Sequence, residues 1–326
     1  MKEASVSSNP APRFHQLAHN DARAMREELS SGLLASPAHV APKFLYDSLG
    51  SHLFTAITQL PEYYPTRIEA GILRGHAARI AARAGQVDIL IDLGAADCMK
   101  GEALFPVVRP RCYVPVDISA EFLEAAVTRL HTAYPALDIV AVGQDFSRSL
   151  SLPDSVPAGS RLFFYPGSSI GNWAPNEAVQ MLRRIREECR HEHDALLIGV
   201  DCMKSADILL PAYDDCLQVT AAFNRNLLLN VNRLLQTDFQ VRDWAHLARV
   251  NLQKSCIEMH LEACSDVTVS WPGHERHFSQ GETIHTEDSY KYRPQDFSDM
   301  LAAAGFPDIE HWTDADGWFS VFHARV

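Results

Sequence analysis

The sequence predicts an α/β fold: a doubly wound, Rossmann-like sheet domain joined to a second, α+β lobe. Three observations carry this. Five short apolar runs alternate with helical segments between residues 87 and 204, the pattern of a mostly parallel sheet with helices on its faces. That alternation stops over residues 203–290, which read as long helical stretches followed by strands of alternating polarity. A C-terminal helix and two strand-like segments then return to the first pattern.

Taken in order, residues 1–13 are rich in Ser, Pro and Ala and read as a flexible tail. "LPEYYPTR" (60–67) sets two tyrosines in a bend pinned by two prolines, each of which fixes φ and removes a backbone donor. "TRIEAGILRGHAARIAARAG" (66–85) has helical apolar spacing and stops on Gly85. "VDILIDLGAAD" (87–97) is a buried strand running into a turn. A helix to about Val108 and a second strand, "CYVPVDIS" (112–119), follow, with Ser119 a candidate N-cap. "LDIVAVGQDF" (137–146), "RLFFYPGSSIGN" (161–172) and "ALLIGVDCMK" (195–204) complete the run, the last after the helix "PNEAVQMLRRIREECR". Residues 205–265 carry helical patterns, and "CIEMHLEACSDVTVSW" (256–271) reads as strands. "PQDFSDMLAAAG" is the last helix, and "DADG" turns between "IEHWT" and "WFSVFHARV". The expected division is 14–66 with 203–290 in the second lobe, and 67–202 with 291–326 in the sheet domain.

Composition narrows the ligand. The chain has 326 residues, 47% hydrophobic and 21% charged, with 29 Lys+Arg against 41 Asp+Glu and a net charge of −12. Such a balance repels phosphate backbones and disfavours nucleic acid as a partner. No stretch approaches a membrane span, and the first residues lack the apolar run of a secretory signal. Seven dispersed cysteines without a CxxC pair point to a reducing compartment, so a cytoplasmic location is expected. "HEH" (191–193) and "HERH" (274–277) lack further ligands at metal spacing, so no metal is expected. A monomer acting on a small molecule is the expectation.

In a doubly wound sheet the ligand sits at the carboxyl ends of the strands. The first strand ends at Gly94 and the second at Asp117, the position from which a carboxylate grips a ribose. The third ends "QDF", where Asp145 suits an adenine amine and Phe146 offers a ring face. "GAADCM" lacks the later glycines that let a pyrophosphate approach the backbone. An adenosine without phosphates, S-adenosylmethionine, fits better than a dinucleotide, and a methyltransferase better than a NAD-dependent dehydrogenase.

The segments "PKFLYDSLGSHLFTAITQLPEYYPTRIEAGIL", "YPGSSIGN", "AYDDCLQVTAAFNRNLLLNVNRLL", "IEMHL" and "TEDSYKYRP" resemble those of the histidine-specific N-alpha-methyltransferases of ergothioneine biosynthesis, from about residue 40 to the C-terminus. The resemblance implies a Rossmann-like methyltransferase domain with a substrate-binding lobe. It implies trimethylation of the α-amino group of L-histidine to hercynine, with S-adenosylhomocysteine released. Residue by residue, it implies cofactor contacts at Gly94, Lys100, Asp117, Asp145 and Phe146, with Lys100 on the methionine carboxylate. It puts Tyr63, Asn172 and Tyr213 at the carboxylate and amine end of histidine, Tyr46 near the amine, and Glu287 with Ser289 on the imidazole. Phe54, Gly167 and Met259 would line the pocket, and Tyr64 would pack beside Tyr63. The family usually has a second glycine where this chain has Ala96, which is tolerated if the loop keeps φ negative there. Tyr46 and Asn172 are the expected catalytic pair, orienting an amine that a neighbouring sulfonium and a dry pocket help to deprotonate. The alternatives are another amino acid or amine, such as an indole-bearing one, as substrate, or a non-catalytic binder of the cofactor or of histidine.

Overall fold

The computed structural model describes residues 11–17, 22–146 and 149–326. Most of the expected tail, residues 1–10, lies outside them.

The strands, in chain order, are β1 (Arg13–Gln16), β2 (Ala38–His39), β3 (Ile89–Leu93), β4 (Cys112–Asp117), β5 (Asp138–Gly143), β6 (Arg161–Tyr165), β7 (Ala195–Asp201), β8 (Trp244–Asn251), β9 (Cys256–Ala263), β10 (Val267–Trp271), β11 (His274–Phe278), β12 (Thr283–Tyr290), β13 (Asp308–Thr313) and β14 (Phe319–Arg325). Eight form one sheet in the order β1-β5-β4-β3-β6-β7-β14-β13. The pairs from β1 to β7 are parallel, while β14 runs antiparallel to β7 and β13 antiparallel to β14. The chain winds one way from β3 to β5 and the other way from β6, so a crevice opens at the carboxyl ends of these strands. β3, β4, β6 and β7 are buried along their whole length, which is why they appear as apolar runs without alternation. Helix Pro175–Glu188 opens with proline at N1, and Glu177 accepts from the Ala174 amide at 3.2 Å.

The second lobe packs helices Ala22–Leu34, Ser48–Ile57 and Val219–Leu235 around a separate core beneath the sheet β2-β12-β9-β8. Its two chain segments are stitched together by buried asparagines of one helix. Asn226 Nδ2 donates to Asp47 Oδ1 at 2.7 Å and Asn230 Nδ2 to the Phe44 carbonyl at 2.7 Å, while Asn224 Nδ2 ties the helix to β9 of its own segment through the His260 carbonyl at 2.9 Å. This accounts for the polar residues inside the apolar pattern "AAFNRNLLLNVNRLL", since buried amides are kept where partners satisfy them.

Three expectations are corrected. Residues 13–16, assigned by sequence to the tail and second lobe, form β1 and extend the main sheet alongside β5. The helix expected over 66–85 is two, Tyr64–Gly75 and Ala77–Ala84, broken at His76, whose ring stacks on Trp312 at 5.8 Å. Trp244–Asn251, placed within a helical region by sequence, is strand β8, held by Trp244 packed between Phe239 and Phe278. In the last case aromatic packing outweighs local propensity.

Candidate active site

Two cavities meet where the lobes join. The larger, about 330 Å³, lies at the carboxyl ends of β3, β4 and β5 and is lined by Gly94, Ala96, Asp117, Asp145, Phe146 and residues of the second lobe. Asp117 is 9% exposed. Its Oδ2 accepts from the Ala96 amide at 2.9 Å and its Oδ1 from the Ser119 amide at 2.8 Å, so the carboxylate ties the first strand-end loop to the second. Burial raises its pKa, and these backbone donors oppose the rise. A carboxylate with both oxygens anchored still has lone pairs for a pair of vicinal hydroxyls. Gly94 has φ of +70°, and a Cβ there would sit 3.9 Å from Phe146 Cζ. A cavity of this volume with an aromatic ring in its wall, and an apolar lining with one buried acid, suits an uncharged nucleoside, so these residues fit an adenosine moiety.

Ala96 corrects the expectation for the loop. Its φ is +48°, in the left-handed region, and Cys98 follows at +62°. The conformation costs a non-glycine residue ~1–2 kcal/mol, partly offset because glycine would lose ~0.5–1 kcal/mol more chain entropy. Ala96→Gly is expected to stabilise the protein by up to about 1 kcal/mol, read from the urea midpoint; a lower midpoint would mean that the methyl group packs.

The smaller recess is walled by Tyr46, Phe54, Tyr63, Gly167, Asn172, Tyr213, Met259, Glu287 and Ser289. All nine were singled out from the sequence. Tyr46, Phe54, Ser169 and Asn172 line both cavities, so a group in one meets a group in the other across this wall. Asn172 reaches it on the short 3-10 turn Ser169–Asn172, after Gly167 (φ +79°) and Ser168 (φ +58°). Gly171 lets this turn press on β12, since a Cβ would sit 2.7 Å from the Tyr290 carbonyl oxygen. Across the recess, Tyr46, Phe54 and Phe223 pack edge-on or tilted, with centroids 5.5–5.9 Å apart.

The recess is walled by buried side chains, and burial shifts its acids toward their protonated forms. Burial raises the Tyr46 and Tyr63 phenols well above their ordinary pKa, and neighbouring Glu287 and Tyr213 add to this. Burial also pushes the Glu287 carboxyl from 4.5 up to about 8, against an opposing pull from Lys291. Its Oε2 is buried without a partner. Between pH 4.5 and 8 the folded chain therefore keeps a proton that the unfolded chain has released, and this contribution to stability falls as pH rises. The stability difference between the ligand-free wild type and Glu287→Gln is expected to decline by ~1.4 kcal/mol per pH unit across that window and to level off above it. Denaturant melts at several pH values check this, and a flat difference would count against it.

Behind the recess lies a buried ionic cluster. Asp201, at the end of β7, accepts from Tyr64 OH at 2.8 Å, Lys204 Nζ at 2.6 Å and Lys291 Nζ at 2.8 Å. Tyr64, expected to be plain packing, is thus part of this cluster, while its neighbour Tyr63 lines the recess. Tyr213 OH lies 2.7 Å from Ser289 Oγ, so two side chains assigned by sequence to opposite ends of the ligand touch each other. Lys100 lines neither cavity. Its Nζ donates to Glu69 Oε2 at 2.8 Å, and Glu69 Oε1 accepts from the Gly167 amide at 2.8 Å.

Sequence reasoning missed Phe223 and Thr220 in the recess and Ser51, Ile118 and Ser119 in the larger cavity. Ser119, read as a cap, donates to the Tyr46 carbonyl at 2.8 Å and lies 3.1 Å from Ser51 Oγ, latching the two lobes. Phe223 sits three residues after Thr220 on one helix face, a helical spacing that was available as a signal. Among the described residues, the His/Cys/Asp/Glu group close enough to share an ion is Cys256, Glu258 and Asp288, not the histidine-rich segments. No helix among them is long and apolar enough to cross a membrane.

A family model described as "Histidine-specific methyltransferase, SAM-dependent" matches residues 25–326. The chain is 41% identical over 312 residues to the histidine N-alpha-methyltransferase of Mycobacterium tuberculosis (strain CDC 1551 / Oshkosh), covering 91% of this chain and 94% of that protein. It is 40% identical over 310 residues to the histidine N-alpha-methyltransferase of Mycolicibacterium smegmatis, covering 93% and 95%. Ergothioneine biosynthesis protein 1 of Schizosaccharomyces pombe is 26% identical over 291 residues, which cover 85% of this chain and 38% of that protein.

Proposed function

This chain belongs to the SAM-dependent, histidine-specific methyltransferases, and on that premise we propose that it trimethylates the α-amino group of L-histidine to hercynine, the first step of ergothioneine biosynthesis. The observation that carries the substrate assignment is the buried, unpartnered Glu287 oxygen in a recess that shares a wall with the cofactor cleft. An imidazole N–H is a fitting donor for it. The cofactor supplies an electrophilic methyl group on a sulfonium, and the product left behind is S-adenosylhomocysteine. Asp117, Asp145, Phe146 and Gly94 hold its adenosine in this reading. Lys100 is close to Gly167, 2.8 Å from a Cβ built there, and its ammonium, bonded once to Glu69, has donors left for the methionine carboxylate.

The chain's own residues bind and aim the amine. Tyr63 and Asn172 hold the amino-acid end, Glu287 and Ser289 the ring, and Phe54, Gly167 and Met259 shape the space. Tyr213, assigned by sequence to the amino-acid end, is bonded to Ser289 on the ring side. In-line transfer needs the nitrogen lone pair within ~3–3.5 Å of the methyl carbon. Tyr46 and Asn172, on the shared wall, are the groups placed to orient it. With its pKa pushed well up by burial, Tyr46 stays protonated and serves as a hydrogen-bonding partner, not as a base. Tyr46→Phe is expected to keep measurable turnover, with kcat down about tenfold or less, the loss of one hydrogen bond of ~1 kcal/mol. Abolished turnover with unchanged histidine binding would make the phenol an essential proton carrier. The reading needs no metal and places the enzyme in the cytoplasm as a monomer.

Mass spectrometry of a reaction of L-histidine with S-adenosylmethionine tests the proposal. Products with one, then two, then three added methyl groups are expected. Unmodified histidine alongside methylation of an indole-bearing amino acid would overturn it.

A further inference from the structure

We propose that Lys291 is a positioning residue that donates to both Ser289 and Tyr213 and so fills their acceptor sites, leaving the pair a hydroxyl proton to offer the recess and thereby selecting a ring with an acceptor nitrogen. The inference rests on the reading of the recess as the histidine site.

Lys291 follows the last residue of β12, and its side chain has no exposure. An ammonium has three N–H donors, and all three are engaged: with Asp201 Oδ2 at 2.8 Å, Tyr213 OH at 2.7 Å and Ser289 Oγ at 2.7 Å. Burial works against the charged form, but Asp201 and Tyr213 outweigh it and hold the pKa above the ordinary lysine value. The ammonium is therefore a permanent donor to both hydroxyl oxygens.

Those two hydroxyls are also bonded to each other at 2.7 Å. Between them they own two protons, and their mutual bond uses one. If Tyr213 donates to Ser289, the serine oxygen accepts from both Tyr213 and Lys291. Its two lone pairs are then filled, and its own proton must point elsewhere. If Ser289 donates to Tyr213, the spare proton is the phenol's. In either arrangement the pair presents a donor to the recess it lines. Glu287 supplies the complementary acceptor. Neutral imidazole, with one N–H and one bare nitrogen, satisfies both; a ring lacking the bare nitrogen leaves a buried hydroxyl proton unmet.

Charge neutralisation of Asp201 does not by itself account for Lys291, because Lys204 already bonds that carboxylate at 2.6 Å. What Lys291 adds is the link to Tyr213 and Ser289, which come from different elements of the second lobe.

The test uses the full chain with S-adenosylhomocysteine bound. Dissociation constants are measured for L-histidine and for 3-(2-thienyl)-L-alanine, whose ring has the same shape without either nitrogen. Lys291→Met is expected to weaken histidine about tenfold, to bring the ratio of the two constants about tenfold closer to one, and to leave S-adenosylmethionine affinity unchanged. Added to Ser289→Ala, it should change histidine affinity less than about twofold. Equal weakening of both ligands, or effects that multiply in the double variant, would show a structural role only and overturn the inference. If Lys291→Met does not fold, Asp201→Asn/Lys291→Met, which removes the paired charges together, carries the same comparison. Wild-type turnover of histidine separates the two proposals. Without it the reading of the recess fails and takes this inference along; with it, an unchanged ratio removes only the role of Lys291.

Discussion

Glu287→Ala is expected to raise the KM for L-histidine about 100-fold while leaving the dissociation constant of S-adenosylmethionine unchanged. The size follows from leaving the ring N–H buried without its acceptor, a cost of up to ~3 kcal/mol. The direction follows from position, since Glu287 lines the smaller recess and not the cofactor cleft. Glu287 is 7% exposed and its Oε2 is unpartnered, so alanine removes that acceptor without stranding a protein donor. Steady-state kinetics with histidine varied, together with calorimetric titration of the cofactor, separates the two sites. A variant with unchanged KM would remove Glu287 from ring recognition. Discrimination against rings without an N–H should shrink in the same variant, because a site that no longer needs a donor no longer rejects its absence.

Asp117→Ala is expected to have the second large effect, weakening S-adenosylmethionine binding about 100-fold or more. Two losses combine here. The carboxylate is the buried acid at the carboxyl end of β4, proposed to hold the ribose, and a pair of hydrogen bonds to a charged acceptor is worth ~1.5–3 kcal/mol each. It also anchors the Ala96 and Ser119 amides, so its removal frees the loop after β3, where Ala96 and Cys98 already sit at positive φ. Asp117→Asn keeps part of the geometry and should fall between wild type and alanine. Equilibrium dialysis of the cofactor measures all three. Cofactor affinity within threefold of wild type in the alanine variant would remove Asp117 from the binding site.

The strand ends were legible because they are local. A run of buried residues closing on an acid, as "CYVPVD" does, states its own place in a parallel sheet, and Gly94, Asp117 and Phe146 follow from that. The second lobe was legible only as a break in the pattern. Its walls come from segments far apart in the chain, such as Tyr46 and Glu287, and only the likeness of whole segments to a known family brought them together. Local reading went wrong where a distant contact decides the outcome. Trp244–Asn251 has acceptable helical residues, yet Trp244 between Phe239 and Phe278 makes it a strand. Tyr64 and Lys291 were unreadable for the same reason, since Asp201 lies 137 residues after the tyrosine and the whole segment 203–290 separates it from Lys291. Lys100 shows the converse: a cation in the expected place on the chain, but with Glu69 as its partner.

That glutamate sits on the helix Tyr64–Gly75, at the start of which stands the tyrosine pair. Gly199 on β7 makes room for it, since a Cβ there would lie 1.9 Å from Glu69 Oε1. One rigid rod therefore carries, at its N-cap, the Tyr63 phenol that lines the recess and, six residues on, the carboxylate that fixes Gly167 and Lys100. The rod works like a gauge block between two jaws. The spacing between this part of the recess wall and the glycine turn is therefore set by the length of a helix.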